Sequence, residues 1–302
     1  MPNTLVHIGI QGPLNSLLCK GTSPQWMLLG CIIPDIPWIA QRVLKLVPGL
    51  DSYTLRLYSL NQASLFFCLV LAAALAMTTR TPLRIFLLLG FNSLLHLLLD
   101  ATQIKWANGV QLLVPFSWSL LRFDWAWPEH LFYYAATLAG LLFLAWNWRK
   151  MAATDLQLVR PQAGKIMIIL CLLLFYGSGP FLFFKEALQA DNHFCRTLIN
   201  QKERIGKKIE LDRAIFSSEK KEIRAFTREI FALRGQLPEI SGHLSVQGNF
   251  IDANTIQVTA FHRHNQYRAQ AASLGLLLIA ALWAHSLILR HRTNTPQQGA
   301  LP

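Results

Sequence analysis

His96 and Asp100 stand four residues apart in the stretch 92–116, NSLLHLLLDATQIKWANGVQLLVPF, where leucines fill the space between them. On a helix, positions i and i+4 share a face, so the imidazole and the carboxylate point the same way. The run is apolar enough to lie in lipid, where an ionisable side chain is costly and turns toward a polar cavity or a partner. An imidazole nitrogen and a carboxylate oxygen so disposed can hold a divalent metal ion. The plainer alternative is that His96 hydrogen-bonds a backbone carbonyl and Asp100 ends the helix at a membrane surface.

The elements that must position this pair are those of a membrane protein. Of 302 residues, 53% are hydrophobic and 15% charged, whereas a soluble domain carries about 25% charged residues. The formal net charge is +12. Much of the excess lies at the ends of apolar runs, where the positive-inside rule explains it without invoking nucleic acid. Four of the five cysteines, Cys19, Cys31, Cys68 and Cys171, lie in apolar segments and read as small hydrophobes; only Cys195 lies in a polar region. There is no CxxC motif or disulfide framework, and the N-terminus lacks the basic region of a signal peptide.

Residues 5–18 and 26–40 form two short apolar segments around the turn Lys20-Gly21-Thr22-Ser23-Pro24. Neither reaches the roughly 20 residues of a simple span, so they read as a tilted or re-entrant pair. The first carries His7; the second carries Asp35 in CIIPDIPW, where two prolines should break a helix. Clearer spans follow at 60–77, 83–100, 131–148, 166–184 and 273–289. Basic clusters at Arg80 and Arg84, at Arg149, Lys150, Arg160 and Lys165, and at Arg290, His291 and Arg292 belong in the cytoplasm. Alternation then puts 42–59, 102–130 and 185–272 outside, with seven crossings if the first two segments cross as a hairpin. The outer side collects His7, Asp35, His96, Asp100, Asp124, Glu129 and His130.

The expected organisation is mainly α: a membrane-embedded helical core over 1–148, a cytoplasmic linker and span over 149–184, an extracytoplasmic α+β domain over 185–272, and a last span with a cytoplasmic tail over 273–302. In the third part, HFCRTLINQKERIGKKIELDRAIF reads as a charged helix and KKEIRAFTREIFALRG as a mixed segment. HLSVQGNFI and TIQVTAFHRH alternate about Asp252-Ala253-Asn254 and predict a β-hairpin. A small α+β unit or a partly open barrel of the oligonucleotide-binding type fits this length. His262 and His264 share a strand face and could bind metal; with Arg263 between them, a solvated face is the expectation. The charge is nearly balanced and nucleic acid is not indicated. Trp106, Trp118, Trp125 and Trp127 read as an interfacial aromatic belt. Asp124, Glu129 and His130 could complete a metal shell or keep the loop soluble, with the latter favoured.

His7, CIIPDIP and HLLLDATQIKWANGVQLLVPFS together resemble the YdjM-like inner-membrane metal-dependent hydrolases, distant relatives of the zinc-dependent phospholipase C and single-strand nuclease superfamily. The resemblance covers roughly residues 1–130, and HLLLD followed by GVQLLVPFS is its most specific part. It implies a bacterial-type inner membrane location and His7, Asp35, His96 and Asp100 as ligands of a zinc-like divalent ion. It also implies hydrolysis of phosphoesters, membrane phospholipids among them, at the outer face. Two departures stand out. Pro37 occupies the place of a second carboxylate in the family's PDID pattern, and LRLYSLNQAS replaces an RGxTHS-like motif, leaving Gln62 near the position of a histidine. Gln62 could orient a water but is a poor zinc ligand. The alternative is therefore a noncatalytic scaffold that keeps the fold with a degenerate site and binds a protein partner through 185–272.

Overall fold

The computed structural model describes residues 3–18 and 23–294. Cys19 and the Lys20-Gly21-Thr22 part of the first turn lie outside them, as do the side chains of His291 and Arg292. The chain is mostly helical, with a single small β-barrel before its last helix.

Helix α1 (Thr4–Leu18) has 15 residues and is short for a simple span. Helix α2 (Pro24–Gly30), a 3-10 turn at Ile33–Asp35 and α3 (Ile36–Leu44) follow. The break falls where Pro34 and Pro37 remove backbone donors, as the sequence predicts. Taken as one run, Pro24–Leu44 spans 21 residues and is long and apolar enough to cross a membrane. This corrects the expectation that the second segment is too short: the helix starts earlier and ends later than its most apolar part.

Asp51 caps α4 (Ser52–Gln62), accepting from the Thr54 amide at 2.7 Å. Helix α5 (Leu65–Ala76) leaves α4 at an angle of 68°. The expected straight span over 60–77 is thus a bent pair, broken at Ala63 and the extended Ser64. Helix α6 (Pro82–Ala101) carries His96 and Asp100 and packs on α5 and α2; α7 (Leu131–Ala153) packs on α1. Helix α8 (Ala163–Ser178) passes through a 3-10 turn into α9 (Phe184–Ala190). Among the described residues, five helical runs are long and apolar enough to cross a membrane, or six with the bent pair.

The runs alternate in direction. At one end Arg80 N–H donates to the Gln157 carbonyl (2.9 Å), Trp26 Nε1 to Leu156 (2.9 Å) and Arg290 to Leu158 (3.0 Å). At the other, Thr4 Oγ1 donates to the Ala272 carbonyl (3.3 Å) and Arg228 to that of Lys45 (3.0 Å). Helices α1 and α7 touch backbone to backbone. A Cβ added to Gly9 would lie 2.1 Å from the Ala136 carbonyl oxygen, and one on Gly140 2.1 Å from that of Leu5. Only glycine permits that approach. It sets His7 deep in the bundle, beside α6.

After α10 (Cys195–Ile199) come strands β1 (Lys208–Ser217), β2 (Glu222–Arg224), β3 (Ile230–Arg234), β4 (Gly242–Phe250) and β5 (Thr255–His264). They close in the order β1-β2-β3-β5-β4, with only β3 and β5 parallel. The expected β4–β5 hairpin is present, but the expected charged helix is not: only five residues are α-helical before β1 begins. The cause is a bulge between Leu211 and Ala214. It puts buried apolar residues at Ile209, Leu211, Ala214 and Phe216, so each half alternates as a strand should but the alternation does not run through the whole. Arg204 closes one end of the barrel. Its guanidinium is fully buried, donates to Glu229 at 2.8 Å, and lies 5.2 Å from the Phe231 ring centre. Helix α11 (Tyr267–Asn294) leaves the barrel and runs back through the bundle.

Candidate metal centre

Three helical runs deliver the first group of ligands. Helix α1 supplies His7, the 3-10 turn Asp35, and α6 both His96 and Asp100. The His7 and His96 rings stack in parallel, 3.7 Å between centres. His7 Nε2 lies 3.6 Å from Asp100 Oδ1; His96 Nε2 lies 3.6 Å from Asp35 Oδ1 and 3.9 Å from Asp100 Oδ2. Ligand atoms of His7, His96 and Asp100 all fall within 4.8 Å of one another, so the group could hold a metal ion. The i, i+4 pair read from the sequence therefore meets the other two expected ligands.

Hydrogen bonding shows what this focus lacks. His7 Nε2, His96 Nε2, Asp35 Oδ1 and Asp100 Oδ1 are all buried without a hydrogen-bond partner. A buried polar atom left unpaired costs about 1–3 kcal/mol. Those of His7, His96 and Asp100 lie close enough to share a cation, and Asp35 Oδ1 stands beside them, 3.6 Å from His96 Nε2. The outer side of His96 is already fixed: its Nδ1 lies 2.6 Å from the Cys31 carbonyl, which requires the proton on Nδ1 and leaves the Nε2 lone pair for a ligand. The plain reading, a histidine bonded to a backbone carbonyl, holds as well; it is the support for the metal-facing nitrogen. His7 Nδ1 sits 3.5 Å from the Gln11 amide, whose oxygen can turn to the ring to fix the same tautomer. Lys105, missed in the sequence, places its buried ammonium 3.5 Å from Asp100 Oδ2. One signal could have found it: a lysine five residues after Asp100 in a segment otherwise free of positive charge.

The additional candidates go elsewhere. The Gln62 amide donates to Tyr58 Oη and the Tyr176 carbonyl, both at 3.0 Å, so it serves the junction with α8. Asp124 is partly exposed and pairs with Arg122 at 3.2 Å. His130 caps α7, accepting from the Phe132 amide at 3.3 Å. Glu129 is neither a ligand of the first group nor a solubilising charge.

Glu129 instead anchors a second group, with His262 and His264 of β5. Their ligand atoms also lie within 4.8 Å of one another, so this group too could hold a metal ion. Glu129 Oε2 is 3.2 Å from His262 Nε2, and Oε1 is 3.1 Å from His264 Nδ1 and from Arg213 Nη2. Burial alone would raise the Glu129 carboxyl, but hydrogen bonds from both histidines and the Arg213 charge outweigh it and hold it well below the usual carboxylate range. Trp127 stacks on the His262 ring at 3.7 Å. The solvated face expected of the two histidines is thus overturned. On the far side, His264 Nε2 lies 2.8 Å from Ser245 Oγ. Serine, histidine and glutamate in a row resemble a nucleophilic triad. Ser245, however, is fully buried and gives its proton to Asp212 at 2.9 Å, so the row serves to fix positions.

No family model, curated protein or solved structure matches the chain.

Proposed function

We propose that the chain is a multi-pass protein of a bacterial-type inner membrane in which His7, Asp35, His96 and Asp100 hold one zinc-like divalent ion for phosphoester hydrolysis at the outer face. The observation that carries this reading is the convergence of the buried, unpartnered ligand atoms of His7, His96 and Asp100, with Asp35 Oδ1 3.6 Å from His96 Nε2. Two imidazole nitrogens with carboxylate oxygens form a donor set suited to zinc. When bound, such an ion acidifies a water and polarises a phosphoryl oxygen. The residues' own work is orientation: the Cys31 carbonyl holds His96 in the ligating tautomer, and Lys105 balances the charge of Asp100. The likeness of HLLLD and GVQLLVPFS to the YdjM-like hydrolases supports the same assignment, and we read it as kinship. We read the barrel, whose strand order suits the oligonucleotide-binding type, as extracytoplasmic. The alternating direction of the helical runs and the basic residues gathered at the end away from it support that orientation.

A second reading is favoured by Gln62 and Pro37. Neither supplies the ligand that the family pattern has at its position, and a site short of ligands suits a scaffold whose barrel binds a protein partner. One experiment separates the two. The purified full-length chain is assayed for metal-dependent hydrolysis of phospholipid and phosphomonoester substrates beside Asp100→Asn. Asparagine keeps the shape and loses the anion that a divalent ion needs. The hydrolase reading expects activity that falls at least about a hundredfold in the variant, as for loss of a residue central to the reaction. Zinc bound without turnover on any substrate would leave the scaffold.

A further inference from the structure

His7, Gln11 and Asn15 follow one another at four-residue spacing on α1, share a face and are all buried. His7 belongs to the metal centre. Asn15 joins helices: its side-chain amide donates to Asn92 Oδ1 of α6 at 2.8 Å, and the Asn92 amide donates back to Asn15 Oδ1 at 3.0 Å. Asn15 also donates to the Gln11 carbonyl at 2.6 Å, which holds the Gln11 backbone in place. The Gln11 side chain lies fully buried between the two. Its Nε2 is 3.5 Å from His7 Nδ1, and its Oε1 accepts from the Cys31 thiol at 3.0 Å.

Cys31 therefore reaches the metal centre by two paths. Its carbonyl lies 2.6 Å from His96 Nδ1 and fixes that ring directly; its thiol reaches the stacked His7 ring through Gln11. The paths differ in kind. A carbonyl oxygen only accepts, so His96 keeps its proton on Nδ1. A glutamine amide carries both donors and an acceptor, and its terminal torsion is broad and roughly two-fold. Two settings, a half-turn apart, fit between His7 and Cys31, and they prescribe opposite tautomers. In the first, the thiol donates to Oε1 and the amide N–H points at His7 Nδ1. The ring proton then sits on Nε2, facing Asp100 Oδ1 at 3.6 Å, and that nitrogen is closed to a metal ion. In the second, Oε1 accepts from His7 Nδ1–H, Nε2 offers its lone pair, and the amide N–H turns to the sulfur. No proton is gained or lost; the one on the ring changes nitrogen. A thiol suits this place because sulfur is a weak donor and a weak acceptor, so neither setting is locked.

We propose that Gln11 is a positioning residue of the metal centre, whose amide turns against the Cys31 thiol and switches His7 between a tautomer closed to metal and one that ligates it. The proposal rests on the metal-centre reading for the ion itself. It divides the work of the two stacked histidines. His96 is held ready at all times by a carbonyl, whereas His7 becomes a ligand when the ion arrives and the amide reverses. The Asn15–Asn92 pair keeps α1 against α6 throughout, so the side chain moves and the helices do not.

The test uses the full-length chain in lipid nanodiscs with isotope-labelled histidine. Magic-angle-spinning NMR of the imidazole nitrogens gives the His7 tautomer, its signals assigned by their loss in His7→Gln. Competition with a fluorescent chelator gives the zinc affinity. In the wild type without zinc the proton should sit on His7 Nε2, and zinc should move it to Nδ1. Gln11→Glu, whose carboxylate only accepts, should show Nδ1–H without zinc and bind zinc about tenfold tighter. Gln11→Met, apolar and of similar length, should bind about tenfold more weakly, the usual effect of losing a partner that orients a ligand. Cys31→Ala removes the thiol donor and leaves the carbonyl on His96. It should favour the second setting and bind zinc at least as tightly as the wild type, whereas two residues that merely fill space would both weaken binding when changed. A His7 tautomer unmoved by zinc, or a Gln11→Met chain that binds zinc as the wild type does, would overturn the proposal and leave the metal centre standing. The wild-type spectra need no variant of Gln11, so they decide the matter if Gln11→Met fails to fold. A wild type that binds no zinc, while its tautomer still follows Gln11→Glu, would instead remove the metal centre and leave Gln11 as the residue that sets His7.

Discussion

The molecule contains two histidine–carboxylate groups built from the same residue types and opposite in state. In the first, among α1, the Asp35 turn and α6, four ligand atoms are buried with nothing bonded to them. In the second, at the seam between the 102–130 loop and β5, Glu129, His262 and His264 satisfy one another and Arg213. Both could hold a metal ion by distance alone. What separates them is hydrogen-bond satisfaction. A site that awaits a cation carries an uncompensated cost without it, whereas a closed network of charges is complete and rigid, and serves to fix its neighbours.

That comparison breaks most directly on metal content. The full chain, loaded with zinc and dialysed against a weak chelator, should retain one ion. His96→Ala should retain at least tenfold less, as expected for loss of an inner ligand. A His262→Gln, His264→Gln double variant should retain as much as the wild type. Elemental analysis decides it: zinc lost from the double variant and kept in His96→Ala would exchange the roles of the two groups.

How each group stands in the sequence follows from the same physics. His7, Asp35, His96 and Asp100 are legible because an ionisable residue in an apolar run is conspicuous, and because the i, i+4 spacing lies within one helix. The second group joins residues 133 and 135 positions apart, and nothing local ties Glu129 to β5. His262 and His264 read as solvated because Arg263 lies between them, yet a strand turns that residue to the opposite face. The barrel's first strand is masked by its own bulge, which breaks the two-residue alternation at the place where Arg213 is aimed. The apolar runs are plain in composition, but their ends and the bend at Ser64 depend on packing that periodicity does not contain.

A second comparison holds metal out and reads stability. In chelator, Asp35→Asn should leave the unfolding midpoint unchanged or raise it, because it removes a charge whose buried Oδ1 has no hydrogen-bond partner. Glu129→Gln should lower stability by about 2 kcal/mol, since it uncouples Arg213 and both histidines from the anion they share. Thermal unfolding of the two variants beside the wild type reads the difference. If Asp35→Asn loses as much as Glu129→Gln, the first group is as well satisfied as the second, and its unpartnered atoms do not await a cation.

The smallest effect expected concerns how the barrel is held over the helices, and it titrates. Glu210 of β1 accepts from the Ala107 amide at 2.7 Å, joining the barrel to the same loop that carries Glu129. Arg122 stands 3.6 Å away and Lys208 2.8 Å away. Burial would raise the Glu210 carboxyl, but the Ala107 amide, Lys208 and Arg122 together hold it below the usual value of 4.5. A depressed carboxyl stabilises the folded state fully above its unfolded value and loses that contribution as pH falls through the folded one. The tether should therefore contribute about 1 kcal/mol at neutral pH, the typical net worth of one such hydrogen bond. It should vanish in acid, whereas Glu210→Gln should lack that component at every pH. The difference between wild type and variant, followed by hydrogen exchange at the Ala107 amide from pH 7 downward, should shrink to nothing below pH 4.5. A difference that stays constant through this range would mean that the amide is held by the shape of the loop and not by the Glu210 charge. The second group would then owe its closure to packing alone.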